Sequence, residues 1–85
     1  MSDMTTETKT SLDKLRQGQK GKVLAVAGYG AIRRRLYDLG LHAGEVITMV
    51  KTAPLKDPLE ISFGNGHVSI RRSEAALITV EPLPD

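Results

Sequence analysis

The sequence predicts a mainly β fold: a small, partly open β-barrel of about five short strands with one inserted α-helix and short helical turns. Three observations predict it. Apolar and polar residues alternate on both sides of Gly64-Asn65-Gly66, a pattern typical of a β-hairpin. The run KGKVLAVA at 20–27 is apolar on both faces, as in a well-covered strand. Glycines and prolines separate the other short segments, and curling short strands into a barrel removes most sheet edges.

The first half of the chain is predicted to hold a tail, a helical turn, a strand and the helix. Residues 1–10 are polar and lack apolar periodicity, so we expect a disordered tail there. Ser11 is placed to cap a short helical turn. The first strand follows at 20–27. Gly28-Tyr29-Gly30 then turns the chain into a helix at 31–39.

The predicted helix carries one apolar stripe. Ile32, Leu36 and Leu39 follow one another at i, i+4 and i+7, so we expect them to pack inward. Gly40 is the expected left-handed residue after the helix. Leu41 is then the apolar residue that packs back on the last helical turn.

The second half of the chain is predicted to be mostly strand. A second strand is expected at 45–52, followed by a loop between Pro54 and Pro58, because proline interrupts both helix and sheet. After the hairpin, Ser73 is expected to cap a last helical turn that ends at Ala76. A final strand is expected at 77–81.

The turn chemistry of the hairpin predicts its register. Asn65-Gly66 suits a two-residue type I′ turn, which would pair Gly64 with His67. The same register places Glu60 opposite Arg71 as an opposite-charge pair on the outer face.

Composition excludes several classes of function. The chain of 85 residues is 40% hydrophobic and 26% charged with a formal net charge of +2, which is ordinary for one small globular domain. It contains no cysteine, so disulfides, thiolate zinc sites, iron–sulfur clusters and cysteine nucleophiles are excluded. No apolar run approaches the roughly 18–20 residues of a membrane span, and residues 1–10 lack the apolar segment of a secretory signal. We therefore expect a cytoplasmic protein without direct membrane insertion.

No catalytic pattern is present in the sequence. There is no Ser–His–Asp order, no HExxH motif and no pair of carboxylates in a catalytic arrangement. Gly28-Tyr29-Gly30 follows a strand and opens a helix, but it lacks the spacing of a phosphate-binding loop. The chain is not expected to be an enzyme.

Three successive cations, Arg33, Arg34 and Arg35, occupy the first half of the predicted helix, where the helix dipole favours anions. One interpretation is a solvated helix face whose long side chains cover the edge of the core. The other is a docking surface for an anionic partner, protein or phosphate. Nucleic acid is disfavoured because base stacking needs exposed rings, and only Tyr29 and Tyr37 are available.

His42 and His67 are the only histidines, and neither has a second histidine at ligand spacing. They are most simply interpreted as exposed surface residues. One of them could bind a divalent ion weakly together with a carboxylate such as Glu45 or Asp57.

Three segments of the sequence resemble the FeoA family of ferrous-iron-transport accessory proteins. They are LRQGQKGKVLAV, GAIRRRLYDLGLHAGEVITMV and APLKDPLEISFGNGHVSIRRSEAALITVE, which run from residue 15 to residue 81. The most specific parts are RRRLYDLGLHAGE and the ending APLKDP…RRSEAALI. The resemblance implies an SH3-like β-barrel, with a FeoA-like domain at 11–82 and a C-terminal tail at 83–85.

The resemblance also implies a function. Members of the family associate with a FeoB-type transporter, a membrane protein with an N-terminal GTPase domain that imports Fe²⁺, and regulate it rather than move iron themselves. Either the cytosolic GTPase domain or the membrane part is the expected partner, and a homodimer could also form. The matching helix positions assign Leu36 and Leu39 to packing and Gly40 to backbone geometry. The exposed candidates for partner binding are Arg33, Arg34, Arg35 and Tyr37.

Two classes of function therefore remain. In the first, the chain is a regulator of bacterial Fe²⁺ uptake that binds the transporter and requires no cofactor. In the second, it is a transition-metal-binding or metal-sensing module in which His42 or His67 weakly binds Fe²⁺, or Zn²⁺ as its surrogate.

Overall fold

The structure, a computed structural model, describes residues 9–51, 57–64 and 66–84. These residues form one antiparallel sheet of six strands, two α-helices and one 3-10 turn. The strands are β1 (Thr10–Ser11), β2 (Lys20–Val26), β3 (Val46–Lys51), β4 (Leu59–Phe63), β5 (Gly66–Ile70) and β6 (Ile78–Leu83). The helices are α1 (Ala31–Asp38) and α2 (Arg72–Ala75), and the 3-10 turn is Leu12–Lys14.

The strand order in the sheet is β1-β6-β2-β3-β4-β5. In the described residues, β1 and β5 are not paired with each other, so the barrel stays open at these two edges. The mainly β class and the partly open barrel are confirmed. The one described strand that the sequence does not predict is β1, which is only two residues long. It pairs with β6, with Thr10 opposite Val80. The predicted tail at 1–10 otherwise lies almost entirely outside the described residues.

The core is purely apolar in the part of the chain that the structure describes. One face of the sheet, the 3-10 turn, one residue from each helix and two residues outside these elements, Leu15 and Leu41, supply it. Phe63 is half-buried and packs against this cluster. The fully buried large side chains are Leu12, Leu36, Leu41, Ile47, Met49, Leu59, Ile61, Ile70, Ile78, Val23 and Val80.

Strand β2 is covered on one face only. Gly21 and Val23 are buried, whereas Lys20, Lys22 and Ala25 are exposed. The prediction of a strand covered on both faces is therefore wrong here, because no element of the described chain lies over the exposed lysines. The register between β2 and β6 shifts between Val23 and Ala25, as at a β-bulge.

Helix α1 ends as the sequence predicts. Gly40 has φ +103°, and its N–H donates to the carbonyl of Tyr37 at 2.9 Å. The N–H of Leu41 donates to the carbonyl of Leu36 at 3.1 Å, which completes a Schellman motif. A Cβ at Gly40 would lie 2.9 Å from the Phe63 ring, so both the backbone angle and the close contact require glycine.

The apolar stripe of α1 is only partly correct. Leu36 is fully buried and Leu39 is half-buried against the core, but Ile32 is 46% exposed. The reason is that α1 contacts the core through its second half, while all residues at 31–35 are exposed.

The hairpin forms, but its register differs from the prediction by two residues. Phe63 pairs with Gly66 and Glu60 pairs with Ser69, so Arg71 is not opposite Glu60. The pairing therefore begins at Phe63 and Gly66 rather than at Gly64 and His67. A shift of two residues keeps every side chain on the same face, so the apolar pattern cannot distinguish the two registers.

Helix α2 begins earlier than predicted, at Arg72, so Ser73 is not its N-cap. Arg71 is at that position, and its backbone N–H donates to Glu74 Oε1 at 2.9 Å. This is the glutamate half of a capping box, which replaces the expected serine cap. The loop predicted between Pro54 and Pro58 lies mostly outside the described residues.

Candidate functional site

An open groove runs along the exposed side of α1 and the loop before it. Its volume is about 530 Å³. Two aromatic and two cationic side chains supply most of its lining, which is unusual in a chain with only 4% aromatic residues. We call it the tyrosine–arginine groove, and it is lined by Tyr29, Gly30, Arg33, Arg34, Tyr37 and Asp38.

The loop between β2 and α1 holds Tyr29 away from the core. Gly28 and Gly30, on either side of it, have φ of +87° and +73°, which side-chain-bearing residues rarely adopt. The chain therefore turns sharply at both neighbours, and Tyr29 is left 89% exposed. The sequence signal for this residue is an aromatic side chain between two glycines, a pattern that predicts a turn but does not by itself predict how far the ring is exposed.

Tyr37 is held between two other side chains. The Arg33 guanidinium carbon lies 4.9 Å from the centroid of the Tyr37 ring, one helical turn away, in a cation–π contact. The His42 ring lies 4.9 Å from the same ring at an interplanar angle of 47°. His42 Nε2 is also 2.9 Å from the Tyr37 carbonyl oxygen. Together these contacts fix Tyr37 at the end of the groove.

The three arginines have three different environments. Arg33 stacks on Tyr37, and its Nε donates to the Val26 carbonyl at 3.4 Å. The Arg34 guanidinium has no hydrogen-bond or ion-pair partner within residues 9–51, 57–64 and 66–84. It does not pair with Asp38 either, although Asp38 lies one helical turn further along α1. Arg35 instead forms an ion pair with Glu74, with Nη1 2.5 Å from Oε2.

The structure thus divides the predicted partner-binding set. Arg33, Arg34 and Tyr37 line one groove, and Tyr29 joins them. Arg35 is directed to α2, although 49% of its side chain is exposed. Leu36, Leu39 and Gly40 are below this surface and supply packing and the backbone turn.

The two histidines lie in different parts of the fold and contact different residues. His42 packs on Tyr37 at the end of α1, as described above. His67 Nδ1 lies 3.7 Å from Glu60 Oε2, its diagonal neighbour across the hairpin. Among the described residues, no group of three or more histidine or carboxylate side chains could hold a metal ion. Asp57 is engaged elsewhere, since its Oδ1 accepts the backbone N–H of Arg72 at 2.9 Å.

Neither helix in the described part of the chain is long and apolar enough to cross a membrane.

Comparison with known proteins shows the family. The family model of the FeoA domain matches residues 10–82 of this sequence. A curated relative, the Fe(2+) transport protein A/Fe(2+) transporter FeoB fusion protein of Porphyromonas gingivalis, is 39% identical over 70 residues. That match covers 82% of this chain and 8% of the relative, so the chain spans a small part of the fusion protein's length.

Solved structures of similar chains agree with the fold. The solution structure of FeoA from Chlorobium tepidum has a TM-score of 0.79 and 40% identity, and covers 88% of this chain and 71% of that one. The crystal structure of Stenotrophomonas maltophilia FeoA complexed with zinc has a TM-score of 0.76 and 32% identity, and covers 85% and 89%. That protein is described as an SH3 domain protein possibly acting as a ferrous iron transport activating factor. An SH3-like β fold shared with solved FeoA structures and a family match over residues 10–82 lead to one conclusion: this chain belongs to the FeoA family, the small accessory domains of ferrous-iron transport.

Proposed function

We propose that the protein is a cytoplasmic regulator of ferrous-iron uptake that acts by binding a FeoB-type transporter. The observation that carries this proposal is the fusion protein of P. gingivalis, in which a FeoA-like unit and FeoB are one polypeptide. Fusion keeps two units at a high effective concentration, which is useful when they act in contact. The proposal transfers that association to this chain as binding between two separate proteins.

The exposed side of α1 supports binding to a protein. Tyrosine and arginine are enriched among the residues that contribute most of the energy of protein interfaces. Arg33, Arg34 and Tyr37 present this chemistry together, and Arg35 lies on the neighbouring side of the same helix. A docking surface would explain why two cations, Arg33 and Arg34, lie in the first half of α1, where the helix dipole disfavours them.

The test is a binding titration between the purified chain and the transporter of the same organism. The cytosolic GTPase domain is measured first, without nucleotide, with GDP and with a non-hydrolysable GTP analogue. The full transporter in lipid nanodiscs is measured next. Binding by calorimetry in either form supports the proposal, and no binding to the full transporter in any nucleotide state overturns it.

A matched pair of variants assigns the surface. Arg33→Glu/Arg34→Glu reverses two charges on α1 and is expected to abolish binding. Lys20→Glu/Lys22→Glu makes the same charge change on the exposed face of β2 and is expected to bind like the unchanged protein. Equal loss in both variants would indicate that only net charge matters.

A second candidate, divalent-metal binding, is favoured by one observation: a similar FeoA structure contains zinc. In this chain His67 and Glu60 are the one described histidine–carboxylate pair within 4 Å, at 3.7 Å. Two ligands are fewer than the four of a structural zinc site, so only weak binding is proposed. A zinc titration should lose its heat with His67→Ala and keep it with His42→Ala. Unchanged heat in His67→Ala would remove this pair from consideration.

A homodimer also stays a prediction. The outer edges of β1 and β5 are unpaired within the described sheet, and an unpaired edge can accept a strand from a second copy.

A further inference from the structure

The tyrosine–arginine groove carries more positive than negative charge. Arg33 and Arg34 line it, and Asp38 is its one acidic residue. The Arg34 guanidinium has no partner among the described residues, and Arg33 donates one long bond of 3.4 Å from Nε. Both guanidinium groups therefore keep N–H donors that a ligand can use. A carboxylate fits this need, because its two oxygens match the paired donors of a guanidinium.

The groove also offers apolar contact area beside these cations. Tyr29 is 89% exposed, and Tyr37 is 40% exposed although it is clamped by Arg33 and His42. Tyrosine rings provide large contact area at a small cost in conformational entropy. Tyr37 is already fixed in place, so its immobilisation adds little further cost on binding.

We infer that the groove binds an acidic segment of a partner protein. A carboxylate of that segment pairs with Arg33 and Arg34, and an adjacent apolar side chain packs on Tyr29. Such a segment complements the two unneutralised guanidinium groups. It also adds negative charge near the N-terminal end of α1, which the helix dipole leaves positive. The inference rests on the proposed function for the identity of the partner, but its chemistry can be tested separately.

A protein segment fits the groove better than nucleic acid does. Nucleic-acid surfaces spread many cations along a phosphate track, whereas this groove contains two and has a carboxylate, Asp38, in its lining. The arginine that would extend the track, Arg35, is neutralised by Glu74. Arg35 is therefore outside the binding set, although it belongs to the same run of three.

The probe is a short peptide of alternating glutamate and leucine, with a glutamine–leucine peptide as its uncharged match. Each is titrated into the ¹⁵N-labelled full chain and followed by amide chemical shifts. The glutamate peptide is expected to shift resonances at 29–38, and the shifts should shrink at high salt. Equal shifts with the glutamine peptide, or shifts centred on β2, overturn the inference. A uridine oligonucleotide or anionic vesicles that bind the same residues more tightly than the glutamate peptide also overturn it.

Variants separate the groove from its neighbour. Arg34→Glu and Tyr29→Ala should each weaken peptide binding by about tenfold or more, the usual effect of truncating an interface anchor. Arg35→Glu should leave peptide binding within about twofold, because it changes an ion pair outside the groove. The reverse order of effects overturns the assignment. The amide spectra of the variants also show whether each variant is folded. If Arg34→Glu is unfolded, Arg34→Gln replaces it.

The same variants distinguish this inference from the proposed function. If the transporter does not bind but the glutamate peptide does, the groove chemistry stands and the partner is wrong. If the transporter binds Arg34→Glu and Tyr29→Ala as tightly as it binds the unchanged protein, the proposed function stands, and the assignment of the groove as its binding site is wrong.

Discussion

Arg35 Nη1 and Glu74 Oε2 lie 2.5 Å apart and join the two helices across 39 positions of sequence. Only 12% of the Glu74 side chain is exposed to solvent. Its other oxygen accepts the backbone N–H of Arg71 at 2.9 Å. One carboxylate therefore both caps α2 and binds it to α1, next to the groove.

Glu74→Ala is expected to lower the free energy of unfolding by about 1–2 kcal/mol, because it removes a helix cap and an ion pair together. Arg35→Ala should cost less, about 0.5 kcal/mol, since its side chain is half-exposed and loses only the pair. Urea denaturation measures both. Glu81→Ala, at an exposed position of β6, is the control. A Glu74→Ala protein as stable as this control would contradict the dual role.

Gly40→Ala is expected to destabilise the fold by about 2 kcal/mol or more, because it adds both backbone strain and overpacking. The strain arises from φ +103°, and the overpacking from a Cβ 2.9 Å from the Phe63 ring. Gly18→Ala is the matched control, because Gly18 has φ +88° with no atom within 4 Å. The difference between the two variants in thermal or urea unfolding isolates the contact with Phe63. Equal losses would show that this contact is unimportant.

Leu36→Ala should destabilise the chain by about 2–4 kcal/mol, whereas Ile32→Ala should change stability by less than about 0.5 kcal/mol. Leu36 is fully buried and Ile32 is 46% exposed, although they are four residues apart on the same helix. Similar losses would mean that the first turn of α1 is packed after all. The same urea series measures both variants.

Disulfide crosslinking can test the hairpin register, because the chain has no cysteine of its own. The double variant Glu60→Cys/Ser69→Cys places cysteines on directly paired residues and should crosslink readily under mild oxidation. Glu60→Cys/Arg71→Cys, which the turn chemistry favours, should crosslink slowly or not at all. Mass spectrometry of the oxidised proteins decides between them, and faster closure of the second pair would restore the predicted register.

The sequence predicts best where a local rule has one solution. The end of α1 is such a place, because Gly40 and Leu41 match a motif whose hydrogen bonds are all local. The hairpin is different, since two registers keep Ile61 and Ile70 on the buried face and glycine is available on both sides of Asn65. Periodicity therefore predicts which face is buried but does not select the register.

The candidate site was predictable only in part for a similar reason. A run of three arginines looks uniform in sequence, but successive helix positions point about 100° apart and meet different neighbours. Arg35 meets Glu74, which is 39 residues away in sequence, and no local pattern shows that contact. Tyr29 is not among the residues that the sequence predicts for partner binding, because its exposure depends on the backbone angles of its two glycine neighbours.

The placement of the tyrosines has a practical consequence. The chain has two tyrosines and no tryptophan, and both tyrosines line the groove. Its intrinsic tyrosine fluorescence therefore originates wholly at the surface proposed to bind the partner. A ligand without tyrosine or tryptophan can be followed on the unmodified protein by this emission alone, and Tyr29→Phe and Tyr37→Phe would assign the change to one wall of the groove or the other.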